Sequence, residues 1–332
     1  MSNFHDRLIQ HGSIAYELSR LCPGGVQVGV SLAEISRWKI GGKADVVVSP
    51  SSVDELQKVR SWISASGLAS VVLGGTSNFL FSDHGLRAIC IQVGPKLSGI
   101  HINSNQVTAE AGVWVPYLAR RVMKGGLTGA EHICGIPGTL GGLVCMNGGS
   151  QRKSIGSAVR RVTGVDSKGE IIYHQGNECE FDYRTSIFQK NDVAIASVDL
   201  EFCFADNQKT VLKEMLSILR SRRLKFPLKQ PNCGSVFKSN PSMYLEVGPP
   251  GSVIERLGFK GYQIGGAQVS PQHANFMVNK GNACAEDMLC LIRKVSHAVQ
   301  DATGYRMETE VRFVNSDGDI MPADSTEVRA GL

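Results

Sequence analysis

Two glycine-rich stretches constrain this chain more than anything else in it. They are Gly74-Gly75-Thr76-Ser77-Asn78 and, about sixty residues later, Gly135-Ile136-Pro137-Gly138-Thr139-Leu140-Gly141-Gly142. The first follows a strand-like run, Ser70–Leu73. Glycine has no Cβ, so the backbone there reaches unusual dihedrals and approaches a ligand closely. Successive backbone N–H groups can then cradle a pyrophosphate, with the hydroxyls of Thr76 and Ser77 as added donors. Asn147 offers an amide beside the second stretch. Taken alone, each stretch is equally a tight turn. Neither has the GxxxxGK or GxGxxG spacing of the usual nucleotide loops. Two such loops in one chain point to an extended diphosphate held from two sides.

The length of 332 residues suits two or three domains, and 42% hydrophobic residues give enough apolar material for real cores. A net charge of +5 fits a site that attracts phosphates or carboxylates. Dense basic patches with interleaved aromatics are missing, which argues against a nucleic-acid partner. Residues 1–20 mix Asp6, Arg7, Glu17 and Arg20 among short apolar pieces, so no export signal is predicted. No run of about 18 uncharged apolar residues exists to span a membrane. The nine cysteines are scattered, without a CxxC pair. They read as reduced, mostly buried thiols of a cytoplasmic protein, with no disulfide framework and no metal site.

Along the chain, residues 1–29 read as a helical lead-in. A strand at 46–48 precedes a helix opened by Ser52, with Glu55 at capping-box spacing and a stop near Gly67. Strands follow at 86–91 and 107–110, then a helix Val115–Lys124 closed by Gly125-Gly126. Further strands are predicted at 159–166, 171–174 and 193–204. The last alternates, with Ala194, Ala196, Val198 and Leu200 on one face. A helix at 209–222, an amphipathic helix at 285–302 and a strand at 307–314 complete the pattern, with a loose polar tail after Asn315. This is an α+β chain with domains predicted at 30–205 and 206–318, and a tail at 319–332.

Nine short motifs occur in a fixed order. They are Ile40-Gly41-Gly42, Leu73 to Asn78, Gly135 to Thr139, Met146 to Gly149, Tyr183-Arg184-Thr185-Ser186, Gly234-Ser235-Val236-Phe237-Lys238, Gly265 to Ser270, His273-Ala274-Asn275-Phe276 and Glu310-Val311-Arg312-Phe313. The ordered set resembles the UDP-N-acetylenolpyruvoylglucosamine reductase (MurB) family. The resemblance implies a vanillyl-alcohol-oxidase/PCMH-type FAD-binding domain followed by a MurB C-terminal substrate-binding domain. It also implies a reaction in which NADPH reduces FAD, and the flavin N5 then gives hydride to the enolpyruvyl ether of UDP-N-acetylglucosamine. Negative charge builds on an enolate, which a cation or acid stabilises, and a positioned donor supplies a proton.

Matched by motif, the resemblance assigns enolate stabilisation to Arg184 and Glu310, and proton donation to Ser235. Glu308 lies on the same strand face as Glu310 and is its competitor. Flavin contacts are expected from Gly74, Gly75, Thr76, Ser77, Asn78, Gly138 and Thr139, and substrate contacts from Lys238, Asn240, Gln268, His273 and Arg222. Without the motifs, Arg184 is equally a surface ion-pair residue, Ser235 a turn hydroxyl, Glu310 a solvated residue and His273 a satisfied loop histidine. The expected partner is one small nucleotide-sugar, acted on by a monomer.

Three departures from the family pattern stand out. Thr76 replaces a third glycine, Asn147-Gly148-Gly149 replaces Asn-Ala-Gly, and Cys233 stands where alanine is usual. The segment from Phe188 to Asp192 is short, so the chain resembles the type II form that lacks a closing tyrosine loop. An FAD-linked oxidase of the same superfamily and a catalytically silent flavin or nucleotide-sugar binder are the competing readings. The intact Arg184, Ser235 and Glu310 weigh against both.

Overall fold

The computed structural model describes residues 2–325, with side chains from Gly12 onward. β-branched runs build two sheets in the first half of the chain. The smaller has the order Val26–Ser31, Lys43–Val48, Ile89–Gln92, Ser70–Leu73. Ile89–Gln92 pairs in parallel with both neighbours, Val47 opposite Cys90 and Val71 opposite Cys90 on the other side. The helix Val53–Ala65 makes the crossover between Lys43–Val48 and Ser70–Leu73, the two strands that flank Ile89–Gln92. Ser52 caps that helix by accepting from the Glu55 N–H at 3.1 Å. The Glu55 carboxylate reaches past the cap to the Ser51 N–H at 2.7 Å, so only half of the predicted capping box forms. The helix buries Leu56, Val59 and Ile63 with Leu18, Val46, Val48, Ile91 and Ala196.

The larger sheet is antiparallel, in the order Ile171–Gln175, Val159–Val165, Ala194–Glu201, Gln106–Glu110, Ile100–Asn103. Ala194, Ala196, Val198 and Leu200 are all buried, as their alternation predicts. The predicted strand 193–204 breaks at Phe202, whose ring enters the core. Cys203–Phe204 then leaves to pair with Leu127–Thr128. The helix Val115–Lys124 forms over its predicted span and buries Leu118, Ala119 and Val122.

Two compact units emerge, and they interleave in sequence. The first comprises residues 1–28, 46–75 and 89–222, and the second 29–45, 76–88 and 223–332. The sequence reading put its boundary at residue 206. What draws 76–88 into the second unit is parallel pairing of Phe79–Phe81 with Arg312–Val314, over 230 residues away. Trp38 joins the same core, its indole N–H donating to the Met277 carbonyl at 2.8 Å. The long helix Ala285–Thr303 packs Met288, Leu291, Ile292 and Val295 there and ends at Gly304, left-handed at φ 75°.

Two expectations need correction. Only Arg312–Val314 of the predicted strand 307–314 joins a sheet, because Glu308 and Glu310 bond instead to residues 236–238. The chain after Asn315 is not loose as far as it is described. Asn315 turns it by accepting from the Asp319 N–H at 2.8 Å, and Ile320–Pro322 returns antiparallel to Arg312–Val314. Residues 326–332 of the predicted tail lie outside the described residues.

Candidate functional site

In the first unit the two glycine-rich stretches lie against each other. A Cβ on Gly74 would stand 2.4 Å from Thr139 Oγ1, and one on Gly75 would stand 2.9 Å from the Gly138 Cα. Both positions therefore require glycine. The Gly138-to-Gly141 backbone is pinned like a strand: Val115 N–H donates to Gly138 O at 3.0 Å, and Leu140 N–H to Val113 O at 2.8 Å. Thr139 is only 6% exposed, and its hydroxyl has no hydrogen-bond partner among the described residues. A buried hydroxyl without a partner is costly, so a ligand atom is the natural acceptor. A glycine cradle around such a hydroxyl fits the diphosphate of FAD.

Arg184 belongs to the same unit. Its backbone is left-handed at φ 56°, a strained conformation for a non-glycine residue. Its guanidinium lies over the Tyr183 ring at 5.3 Å and donates weakly to the Gly149 carbonyl at 3.4 Å. Asn147, expected as a free ligand amide, is committed instead: it donates to Asp182 O at 2.8 Å and accepts from Gly156 N–H at 3.0 Å. Arg222 lies along the second glycine stretch. A Cβ on Gly135 would stand 2.5 Å from its Cδ, and burial lowers the guanidinium's affinity for its proton.

In the second unit Ser235 follows Gly234, which is left-handed at φ 80°, and bridges to Phe276. Its hydroxyl makes no side-chain hydrogen bond among the described residues. The short strand after it runs between two others. Val236 N–H donates to Asn275 O at 2.8 Å, and Glu310 N–H donates to Val236 O at 2.7 Å. The Asn275 amide clamps Phe237 from both sides, accepting from its N–H at 3.0 Å and donating to its carbonyl at 2.9 Å. Asn78 fixes the Glu310 backbone by donating to its carbonyl at 2.8 Å.

The two candidate glutamates have different surroundings. Glu308 is 75% exposed and pairs with Lys238 Nζ at 3.4 Å, while Glu310 is half-buried. Thr309 between them is buried and pairs with Phe237.

Several other expected residues have structural partners. The Thr76 hydroxyl donates to Ile35 O at 2.7 Å, which removes it as a phosphate donor. Asn240 Oδ1 caps the helix Pro241–Glu246, accepting from Ser242 N–H at 3.0 Å. Gln268 donates to Gly261 O at 3.1 Å. His273 Nδ1 accepts from Asn275 N–H at 3.2 Å, so its neutral form carries hydrogen on Nε2. The ring sits against Phe226 and Phe276, and burial, then Lys260, hold its pKa below the usual value. Ser77 is half-buried in the first loop. Cys233 is buried with its thiol toward Phe79 O at 3.5 Å, and burial raises its pKa, as befits packing. Among the described residues the nine cysteines form no disulfide.

Sequence reasoning passed over Asn275 and Gln189, both inside quoted segments. A polar amide within an apolar run was the available signal for Asn275.

A parallel β-α-β sheet, an antiparallel sheet and a glycine cradle around Thr139 fit the class of FAD-binding proteins. A model of FAD-binding domains matches residues 44–173, and one of the UDP-N-acetylenolpyruvoylglucosamine reductase C-terminal domain matches 226–314. A curated relative, UDP-N-acetylenolpyruvoylglucosamine reductase 1 of Corynebacterium glutamicum, is 44% identical over 294 residues, covering 89% of this chain and 88% of the relative. The reductase of Halalkalibacterium halodurans is 39% identical over 90% of this chain and 97% of its own. A crystal structure of the Thermus caldophilus reductase (MurB) superposes with a TM-score of 0.74 at 27% identity, covering 87% of this chain and 99% of that one. The chain belongs to the UDP-N-acetylenolpyruvoylglucosamine reductase family. No described helix is long and apolar enough to cross a membrane, and the described residues hold no cluster of metal-ligating side chains.

Proposed function

We propose that the chain reduces UDP-N-acetyl-3-O-(1-carboxyvinyl)glucosamine to UDP-N-acetylmuramate with NADPH, in peptidoglycan precursor synthesis. The observation that carries this reading is the pair of backbone bridges around Ser235. A half-buried hydroxyl without a side-chain partner lies one residue from Val236, whose carbonyl holds the Glu310 N–H at 2.7 Å. In this reading the proton donor and the acid belong to neighbouring backbone segments joined by isolated bridges.

FAD, when bound, would supply hydride-transfer chemistry between NADPH and the enolpyruvyl group. Gly74, Gly75, Gly138 and Thr139 hold its diphosphate, with Ser77 and the Thr76 and Asn78 backbone continuing the loop. Arg184 stabilises the developing enolate by charge and Glu310 by hydrogen bonding, each strongest where water is excluded. Ser235 gives its proton to the α-carbon. Lys238 leaves its exposed partner Glu308 for the substrate's anionic groups at little cost, since such surface pairs contribute about 0–1 kcal/mol. Gln268, His273, Asn240 and Arg222 are the further substrate contacts of this reading, which also makes the protein a cytoplasmic monomer.

The test is an anaerobic colour experiment. NADPH should bleach the yellow protein, and the enolpyruvyl substrate should restore the colour. Ser235→Ala should leave bleaching nearly intact and slow recolouring by roughly 10²–10⁴-fold. Bleached protein that the substrate never reoxidises means the assignment is wrong.

A further inference from the structure

We infer that Gln189 is a positioning residue for Arg184, tying its strained backbone to the helix that leads out of the glycine cradle. The inference rests on the enolate-stabilising role proposed for Arg184. At φ 56° Arg184 holds a conformation that persists only where the surroundings enforce it. Its own loop is narrow: Asp182 and Thr185 exchange backbone bonds of 3.2 and 3.1 Å, which leaves Tyr183 and Arg184 at the tip.

One side chain reaches the carbonyl of that tip. Gln189 Nε2 donates to Arg184 O at 2.9 Å, and the same nitrogen donates to Cys145 O at 3.0 Å. Cys145 ends the six-residue helix Leu140–Cys145, where carbonyls lack helical partners. Ser186 Oγ also donates to Cys145 O, at 2.6 Å. That helix starts after Thr139, the residue with the unpartnered hydroxyl. A two-hydrogen amide is therefore the direct link between the arginine's peptide group and the rigid end of the cofactor loop. Rotation of that peptide would swing the guanidinium, whereas the Cys145 carbonyl keeps Ser186 if Gln189 is lost.

The link makes a specific pattern in the two half-reactions. Gln189→Met is nearly isosteric but has no donor. It should slow flavin reoxidation by the enolpyruvyl substrate about 10- to 100-fold, the scale of an ångström's misplacement. FAD affinity and the rate of bleaching by NADPH should stay as in the parent. Gln189→Lys restores a donor to the two carbonyls and should recover most of the rate. Gln189→Glu presents an acceptor instead and should not.

In an Arg184→Ala background Gln189→Met should add no further loss. Wild-type reoxidation by Gln189→Met beside an impaired Arg184→Ala overturns the inference, as does a fully additive double variant or an equal loss of FAD affinity. If Arg184→Ala itself reoxidises at the parental rate, the role of Arg184 has failed, and the inference goes with it. Should Gln189→Met fail to fold, the contrast between the Lys and Glu variants decides.

Discussion

A methyl group on Gly74 would stand 2.4 Å from Thr139 Oγ1, well inside van der Waals contact. Gly74→Ala should therefore push the two loops apart and weaken FAD binding at least about tenfold, read by fluorescence titration of the apoprotein. Thr139→Val separates shape from chemistry. It keeps the branched outline and removes a buried hydroxyl that no group among the described residues satisfies. The apoprotein should melt at the same temperature or higher, because an unsatisfied buried group costs about 1–3 kcal/mol. FAD affinity should fall about tenfold, and an unchanged affinity would show that the hydroxyl faces no cofactor atom. The glutamates offer a second contrast at this scale. Glu310→Gln should slow reoxidation strongly, and Glu308→Gln, which loses only an exposed pair with Lys238, should leave kcat nearly unchanged. The reverse order in stopped-flow reoxidation would reassign the acid to Glu308.

Asn275 shows how an element depends on one side chain. The segment 235–238 makes only isolated bridges, and Phe237 has its N–H and carbonyl both satisfied by the Asn275 amide. Asn275→Ala leaves two buried backbone groups without partners and should destabilise the protein by about 2–4 kcal/mol in urea unfolding. A loss below about 1 kcal/mol would mean that water replaces the amide. Elements with a strong local pattern were legible from sequence: Val115–Lys124 carries a full apolar face, and Ala194–Glu201 alternates over eight residues. Short pairings were not. Gln263–Ile264, Ala267–Val269 and Met277–Asn279 are two or three residues each, below the length at which a period of two is visible. In the candidate site the glycines were legible because their reason is local. The commitment of Thr76 and Asn147 was not, since their partners lie on separate loops, whereas Asn240 before Pro241 carried a local capping signal.

At the scale of the whole molecule, the interleaving of the two units has no local signature. Phe79–Phe81 reads as three apolar residues after a loop, and only its parallel partner Arg312–Val314 reveals where it belongs. The burial of titratable groups was equally hidden, and it sets how stability depends on pH. His132 is 4% exposed, and neither ring nitrogen has a partner of hydrogen-bonding geometry. Burial lowers its pKa most, the Gly129 backbone opposes this next, and the Lys153 ammonium lowers it further against a smaller upward pull from the Glu131 carboxylate. Burial lowers that of His273 as well. In both, the unfolded chain takes up a proton at a higher pH than the folded one. Their contribution is fully present above the usual histidine value of about 6.5 and is lost as pH falls from there through the folded pKa. Unfolding free energy should therefore decline between about pH 6.5 and 5. His132→Leu removes the first of these protons, so its stability relative to the parent should rise steadily as the pH is lowered through that range. Urea titrations of the two apoproteins at matched ionic strength measure the difference. A difference that stays constant from pH 8 to 5 would mean that His132 takes up its proton as readily in the folded protein as in the unfolded chain.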